Sequence, residues 1–421
     1  MALSHSSISP DSAAAERATR MRSKAEARRL ISEVLAELVP ARQGKGLRAI
    51  ILTGSLARDE ATILVRGSGF ELLGDADLLL VYGASNSIPD HVQVESVLCE
   101  AEDRCLERGL RASVHAGAVS PRYLQKLPKS IFAYELRHCA KVIWGEPEIL
   151  TLIPEFAAAE IPHEDAWRMI SNRMIELMDA SRQFMQDATT LDEGLHYATV
   201  KMFLDLATSY LVFAGEYRPS YRERGERLLA IANSHRHASP FRLARFAARV
   251  QQCTVWKLSG ELDHSCQIPK LWQQAIRYLR RLWRWEIAQI TVANEQETIA
   301  ALIQRLAKRQ SRAARLRGWV SVAKGRGWLK SWRRWPRWMQ QRLRTSPRYL
   351  VYGAAAELVF RLPCLIKCDR QLPATHPDWD KIRGRLPEVA PQQGRHNIAP
   401  WQTLADDIAW NYAEFLVRTH A

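Results

Sequence analysis

The hydrophobic periodicity of the sequence changes once along the chain, near His163. Before this residue, short apolar runs at 49–52, 76–82 and 110–119 are typical of buried β-strands, and residues 92–108 have the pattern of a helix. After it, apolar residues recur at intervals of three and four, as they do on one face of a helix. This order predicts an α+β domain followed by an all-helical domain.

The length of the chain predicts more than one domain, because 421 residues exceed what a single hydrophobic core usually supports. The start of the chain is rich in Ser and Ala, so we expect residues 1–22 to be disordered. We then expect a sheet-containing domain with a leading helix at 23–150 and a helical domain at 151–300. Residues 301–421 form a basic, Trp-rich segment followed by C-terminal helices.

The net charge of +15 is confined to one segment of the sequence. Residues 305–348 contain 15 Lys and Arg, residues 298–356 contain no Asp or Glu, and the rest of the chain is neutral. The basic residues are interleaved with five tryptophans, Trp319, Trp328, Trp332, Trp335 and Trp338. This pattern suits an anionic membrane surface, or nucleic acid or another polyanion. It also suits tryptophans that pack on the helical domain and leave only the charges exposed.

The absence of several sequence features indicates the cellular compartment that we expect for this protein. Residues 1–30 contain no apolar core of a secretory signal, and the seven cysteines are scattered without the pattern of a disulfide framework. No apolar run approaches the roughly 18 residues of a spanning helix. We expect a cytoplasmic protein, peripheral at the inner face of the membrane if residues 305–348 bind lipid.

Two carboxylates stand two positions apart at the start of the apolar run 76–82. On a strand, Asp75 and Asp77 point to the same face. Two carboxylates held this close repel each other unless a cation lies between them. Mg²⁺ suits such a pair, because it is usually held by one or two carboxylates together with substrate phosphates.

A Gly-Ser turn follows the apolar run 49–52. Gly54 allows a sharp turn and a close approach of the backbone to a phosphate. Ser55 adds a hydroxyl, and a helix that begins there would point free N–H groups at the same anion. Arg58 either contacts phosphate or has a surface role. A metal on one side and donors on the other favour phosphoryl-type transfer.

These two motifs resemble the signature of the nucleotidyltransferases of the DNA polymerase β superfamily. The matching residues are LTGSLAR at 52–58 and GDADLLLV at 74–81, and the resemblance covers residues 46–150. It implies the nucleotidyltransferase fold, a short mixed sheet flanked by helices. It also implies Mg²⁺-assisted transfer of a nucleoside monophosphate from a nucleoside triphosphate, with Asp75 and Asp77 as metal ligands and Gly54 and Ser55 as nucleotide ligands.

The sequence departs from this family in two places. The 19 residues between Ser55 and Asp75 predict an inserted loop near 62–70. The family's third carboxylate corresponds to His115, and no Asp or Glu occurs between Glu107 and Glu135. His115 is either a general base for an acceptor hydroxyl, a structural histidine, or the mark of a site with weak or absent catalysis.

With YATVK at 197–201 and GEYRPSYRER at 215–224, the helical domain resembles the second domain of antibiotic nucleotidyltransferases. That resemblance implies that Lys201 contacts the triphosphate and that Tyr221 or Arg222 contributes to the same site; alternatively, Lys201 pairs with Asp205 on a helix surface. The predicted function is transfer to a hydroxyl of a small-molecule or protein acceptor. The alternative is a catalytically degenerate nucleotidyltransferase-fold protein, attached to membrane or polyanion by residues 305–348.

Overall fold

The protein's structure is a computed structural model that describes most of the chain. The described residues are 10–43, 46–67, 69–83, 88–89, 91–181, 193–234, 236–261, 267–326, 335–342, 345–367, 377–388 and 400–414. The chain divides into two units. The sheet unit comprises Met1–Ile161, Arg218–Glu223 and Thr254–Asp263, and the helical unit comprises Pro162–Tyr217, Arg224–Cys253 and His264–Ala421.

The sheet unit is built on five strands. They are β1 Leu47–Leu52, β2 Thr62–Arg66, β3 Gly69–Tyr82, β4 Leu110–Val119 and β5 Lys141–Gly145. The order is β2-β3-β1-β5, with β4 paired to β3. The β3–β4 pair is parallel and the other pairs are antiparallel, which confirms the expected mixed sheet.

The loop predicted near residues 62–70 is instead a β-hairpin. Strand β2 pairs with the first half of β3 from Thr62 opposite Leu73 to Arg66 opposite Gly69. Gly67 has a φ of +57°, a left-handed conformation that favours glycine in a tight turn. Arg66 and Glu71 form a cross-strand ion pair at 2.7 Å. Strand β3 therefore begins at Gly69, and Asp75 and Asp77 lie within it rather than at its start.

The helices of the sheet unit surround this sheet. They are α1 Pro10–Gln43, α2 Gly54–Ala57, α3 His91–Glu107, α4 Pro121–Gln125 and α5 Ile131–Cys139, with 3₁₀ turns at Pro147–Leu152 and Ala158–Glu160. Helix α1 includes residues 10–22, where the sequence predicts disorder. This stretch is rich in Ala and Arg, which are strong helix formers. Residues 1–9 lie outside the described part of the chain.

One face of the sheet is covered by α1 and α3. The core contains Ile31 and Leu35 of α1, Val97 and Ala101 of α3, and the even-numbered residues of β3 and β4: Leu72, Ala76, Leu78, Leu80, Ala112 and Val114. Because side chains alternate along a strand, the odd-numbered residues of β3 and β4 lie on the opposite face. This alternation places Asp75, Asp77 and His115 away from the core.

The helical unit contains the remaining helices. They are α6 His163–Ala180, α7 Glu193–Phe213, α8 Tyr221–Ser234, α9 Leu243–Ser259, α10 Ile268–Thr291, α11 Ile299–Arg309, α12 Arg312–Arg326, α13 Trp335–Arg342, α14 Pro347–Val359, α15 Leu362–Lys367, α16 Pro377–Arg385 and α17 Pro400–Tyr412. The first residues of α8 and the last residues of α9 belong to the sheet unit. Residues 301–421 share one unit with the preceding helices, whereas the sequence predicts a boundary at 300.

The centre of the helical unit is aromatic. The indoles of Trp167 and Trp283 are fully buried, with ring centroids 5.3 Å apart. Trp283 Nε1 donates to the Ser171 hydroxyl at 3.0 Å, and Trp272 Nε1 donates to the Ser181 hydroxyl at 2.7 Å. These hydrogen bonds satisfy buried N–H groups that would otherwise destabilise the core.

Two of the five tryptophans in the basic segment are buried in a separate, smaller hydrophobic cluster of the helical unit. Trp319 and Trp338 are 4% and 3% exposed, and their rings lie 5.8 Å apart. Trp319 Nε1 donates to the carbonyl of Thr345 at 3.0 Å. For these two residues the packing alternative is therefore confirmed, while the side chains of Trp328, Trp332 and Trp335 lie outside the described part. None of the helices described here has the length and apolar character needed to span a membrane.

Candidate active site

Gly54 and Ser55 are the first two residues of the single-turn helix α2, which follows β1 directly after Thr53. Gly54 has a φ of +66°, which is strained for any residue with a Cβ atom. A Cβ atom on Gly54 would also lie 3.0 Å from Asp77 Oδ2. The N–H of Thr53 donates to the carbonyl of Asp77 at 2.8 Å. Glycine is therefore required here, and the turn is in direct contact with the aspartate strand.

The helix expected after this turn is short. Helix α2 ends at Ala57, and the N–H of Glu60 returns to the carbonyl of Ser55 at 2.8 Å. A single turn has little macrodipole, so any anion held here would be bound by the backbone N–H groups and the Ser55 hydroxyl.

Asp75 and Asp77 share the face of β3 that is opposite the core. Both are exposed, whereas Ala76 between them is fully buried. Water therefore solvates both carboxylates, and the desolvation cost expected for a buried strand is small. The mutual repulsion of the two carboxylates remains, and the backbone of Gly54 lies close to the Asp77 carboxylate.

His115 lies on β4 next to the aspartates, as the sequence predicts. In the parallel β3–β4 ladder, His115 is the register partner of Asp77, and Ser113 is the partner of Asp75. His115 Nδ1 is 3.8 Å from Asp75 Oδ2, and the imidazole side chain is 63% exposed. The structure thus brings Gly54, Asp75, Asp77 and His115 together on one exposed face of the sheet unit.

The protein supplies two carboxylates to this face. Over the described ranges, no group of three or more His, Cys, Asp or Glu side chains has an arrangement that would hold a metal ion. Two carboxylates beside an open turn fit Mg²⁺, because this ion keeps water and substrate phosphates among its ligands.

Arg58 is buried, so the surface role that was one of its two expected roles is wrong. Its side chain is 7% exposed and forms ion pairs with Glu60 at 3.2 Å and Glu135 at 2.7 Å. Its guanidinium also lies 5.2 Å from the ring centroid of Tyr221. These contacts tie Arg58 to its own surroundings, and its contact with a phosphate stays a prediction.

Lys201 belongs to the helical unit. It lies on α7 with its ammonium 5.4 Å from the ring centroid of Tyr197. Asp205, its expected i+4 partner, forms an ion pair with Arg173 at 2.5 Å. The contact of Lys201 with a triphosphate stays a prediction.

The sequence did not identify the cluster around Glu60. This carboxylate is 6% exposed and contacts Ser220 and Tyr221, about 160 residues later in the chain. The only local signal is an Asp-Glu pair directly before the apolar run 61–65. Lys257 is the other unanticipated member, with a side chain 1% exposed and an ammonium 5.9 Å from the Tyr221 ring centroid.

Comparison with known proteins finds similarity among solved structures. No family model and no curated protein matches the chain. Among solved structures, the chain is similar to spectinomycin adenyltransferase AAD(9) from Enterococcus faecialis, solved with ATP and spectinomycin. The two chains share 15% identity and superpose with a TM-score of 0.37, over 59% of this chain and 97% of the other. A superposition this loose does not place individual residues, so the functional argument rests on the chain's own geometry.

Proposed function

We propose that the protein is a Mg²⁺-dependent nucleotidyltransferase that moves a nucleoside monophosphate from a nucleoside triphosphate to a hydroxyl group. The observation that carries this proposal is the contact between the Gly54-Ser55 turn and Asp77. It places a turn that admits close backbone approach directly beside a solvated carboxylate pair. Phosphoryl-type transfer depends mostly on such positioning and on neutralising charge.

In this proposal each residue has a role that follows from its position in the site. The backbone at Gly54 and the hydroxyl of Ser55 bind the triphosphate. Asp75 and Asp77 would hold Mg²⁺, which when bound neutralises phosphate charge in the transition state. His115 accepts the proton of the acceptor hydroxyl. The acceptor oxygen bonds to the α-phosphorus, the bond from that phosphorus to the β-phosphate oxygen breaks, and pyrophosphate leaves.

The first test is binding of nucleoside triphosphates with and without Mg²⁺. Calorimetry with the full-length protein should show Mg²⁺-dependent binding that Asp77→Asn weakens by about tenfold or more, because a charged ligand to the metal is lost. Circular dichroism should show that the variant is folded, since Asp77 is exposed.

The matched control for Asp77→Asn is Asp59→Asn. Asp59 is an exposed carboxylate that pairs with Lys141 and has a φ of +59°, which Asn tolerates. Its loss should leave nucleotide binding unchanged. Equal affinity for the Mg²⁺-nucleotide in the wild type and in Asp77→Asn would refute the assignment of the metal site.

Product formation distinguishes an active transferase from the catalytically degenerate alternative. The protein is incubated with labelled nucleoside triphosphates, Mg²⁺ and a fractionated extract that supplies acceptors. Pyrophosphate release together with a labelled product supports the transferase. Mg²⁺-dependent binding without pyrophosphate release from any fraction supports a binding or regulatory protein with the same fold.

A further inference from the structure

A buried carboxylate lies directly behind the Gly54-Ser55 turn. Glu60 is 6% exposed, and its N–H donates to the carbonyl of Ser55 at 2.8 Å, so its backbone is part of the turn. A carboxylate in this position is costly unless it is well paired. Its partners therefore show which parts of the sheet unit the turn depends on.

The partners of Glu60 come from a distant segment of the chain. The Ser220 hydroxyl donates to Glu60 Oε1 at 2.7 Å, and the N–H of Tyr221 donates to Oε2 at 3.1 Å. The N–H of Arg222 lies 3.5 Å from Oε1. These groups are at the start of α8, within Arg218–Glu223, which the structure assigns to the sheet unit. Glu60 thus accepts hydrogen bonds from N–H groups that have no partner within the helix.

Arg58 pairs with Glu60, and Lys257 lies near Tyr221, whose N–H binds Glu60. Arg58 Nε donates to Glu60 Oε2 at 3.2 Å and Nη1 donates to Glu135 Oε2 at 2.7 Å. Both cations lie near the Tyr221 ring, with Arg58 at 5.2 Å and Lys257 at 5.9 Å from its centroid. The hydroxyl of Thr62 donates to the carbonyl of Lys257 at 2.8 Å, which ties this segment to β2. Arg58 therefore links Glu60 and Glu135, and both cations lie near the ring of Tyr221.

We propose that Glu60 is a positioning residue of the nucleotide site, and that it holds the Gly54-Ser55 turn and the segment Arg218–Glu223 in one fixed geometry. This inference rests on the proposed function. Glu60 acts through the backbone of the turn and does not itself touch the nucleotide. The anchored segment carries two exposed arginines, Arg218 and Arg222, in the same unit as the aspartate pair. Its fixed placement suits an anionic polyphosphate, whose binding falls when the cations or the turn move.

The test is Glu60→Gln in the full-length protein. Gln keeps the shape of the side chain but loses the charge that the four donors share. We expect the KM and the Kd for the Mg²⁺-nucleoside triphosphate to rise about tenfold or more, with a smaller change in kcat. Amide hydrogen exchange should become faster both at 53–57 and at 218–223. The control is Glu146→Gln, which breaks the exposed pair with Arg48 in the same unit and should change none of these quantities.

Ser220→Ala provides a second variant in case Glu60→Gln does not fold. It removes one donor and leaves the buried carboxylate in place, so the same changes should appear with smaller size. Faster exchange without a rise in the nucleotide KM would overturn the inference, because the cluster would then be structural only. Unchanged exchange at 53–57 would also overturn it. Absence of nucleotide binding by the wild type is a different outcome: it refutes the proposed function, and the inference fails with it.

Discussion

At the scale of single residues, Gly54 and Asp77 constrain each other. A side chain on Gly54 would meet the Asp77 carboxylate at 3.0 Å, and the backbone of Gly54 is in a conformation that favours glycine. The carbonyl of Asp77 is in turn bound by Thr53. The two motifs that stand 19 residues apart in the sequence are therefore one structural feature, which explains why each alone is a weak signal and the two together are informative.

His115 is the residue whose role most affects the proposed chemistry. We predict that His115→Ala lowers kcat by about a hundredfold or more while the nucleotide KM changes little, because a general base acts on the acceptor and not on nucleotide binding. Steady-state kinetics with the acceptor identified from the fractionated extract measures both quantities. Arg111→Ala is the control, since Arg111 is exposed on the same face of β4.

The variant His115→Asp tests whether position 115 acts as a histidine base or requires a carboxylate. If His115 is the base, this variant should turn over more slowly than the wild type. A kcat above that of the wild type would contradict the prediction, because position 115 would then require an acid. Because His115 is the register partner of Asp77, an aspartate at position 115 would place a third carboxylate beside the pair.

At the scale of secondary-structure elements, a buried acid in the helical unit makes stability depend on pH. Glu286 of α10 is fully buried, and burial raises the pKa of its carboxyl well above the ordinary value, while the Ser209 hydroxyl partly opposes this shift. The folded protein therefore keeps the proton after the unfolded chain has released it. Stability is highest below the ordinary glutamate pKa and falls as pH rises towards the raised pKa.

We predict that Glu286→Gln removes this pH dependence and makes the protein more stable at neutral pH. In the wild type, Glu286 lowers the free energy of unfolding by up to about 1.4 kcal/mol per pH unit within that window. Urea unfolding followed by circular dichroism at a series of pH values measures the difference. Glu226→Gln, at an exposed position of α8, is the control and should follow the wild-type curve. A parallel offset between the wild type and Glu286→Gln at every pH would contradict the assignment.

The elements that the sequence predicts well are those with a local pattern. Strands β1 and β4 and helix α3 are confirmed because each is a short apolar run or a regular amphipathic repeat. The first half of β3 was missed because Glu71 and Gly74 interrupt its alternation, and its pairing with β2 depends on contacts across the hairpin. Strand β5 is short and half-buried, so its pattern is weak.

For the candidate site, too, the sequence predicts what depends on local patterns and misses what depends on contacts between distant segments. The sequence identifies Gly54, Asp75, Asp77 and His115, because motif and strand alternation are local properties. It does not identify the partners of Glu60, since Ser220 and Tyr221 reach this carboxylate only after the chain has passed through α6 and α7 of the helical unit. The side chain of Arg58 was assigned to phosphate or to the surface because its two carboxylate partners are likewise visible only in the fold.

At the scale of the whole molecule, the excess charge and the tryptophans of residues 305–348 have different roles. Trp319 and Trp338 pack within the helical unit, so they do not form a free apolar anchor. Four of the exposed cations of this segment are Lys308 and Arg309 of α11, and Arg312 and Arg317 of α12. Truncation near residue 300 would remove core residues such as Tyr349 and Tyr352, which pack against Trp167. The role of the charge must therefore be tested by substitution.

We propose that the protein binds an anionic membrane surface through these cations. We predict that replacing all four by Gln weakens its binding to anionic vesicles about a hundredfold or more. The reason is that each cation near the surface contributes about 1 kcal/mol of binding free energy. Co-sedimentation across a salt series measures this. Wild-type binding should fall steeply as salt rises, because charges are screened over about 8 Å at physiological ionic strength. The control replaces four exposed arginines outside the basic segment, Arg242, Arg245, Arg277 and Arg280, and has the same net charge. Equal loss in both variants would indicate a response to net charge alone, and stronger retention on DNA than on vesicles at the same salt would favour nucleic acid as the partner.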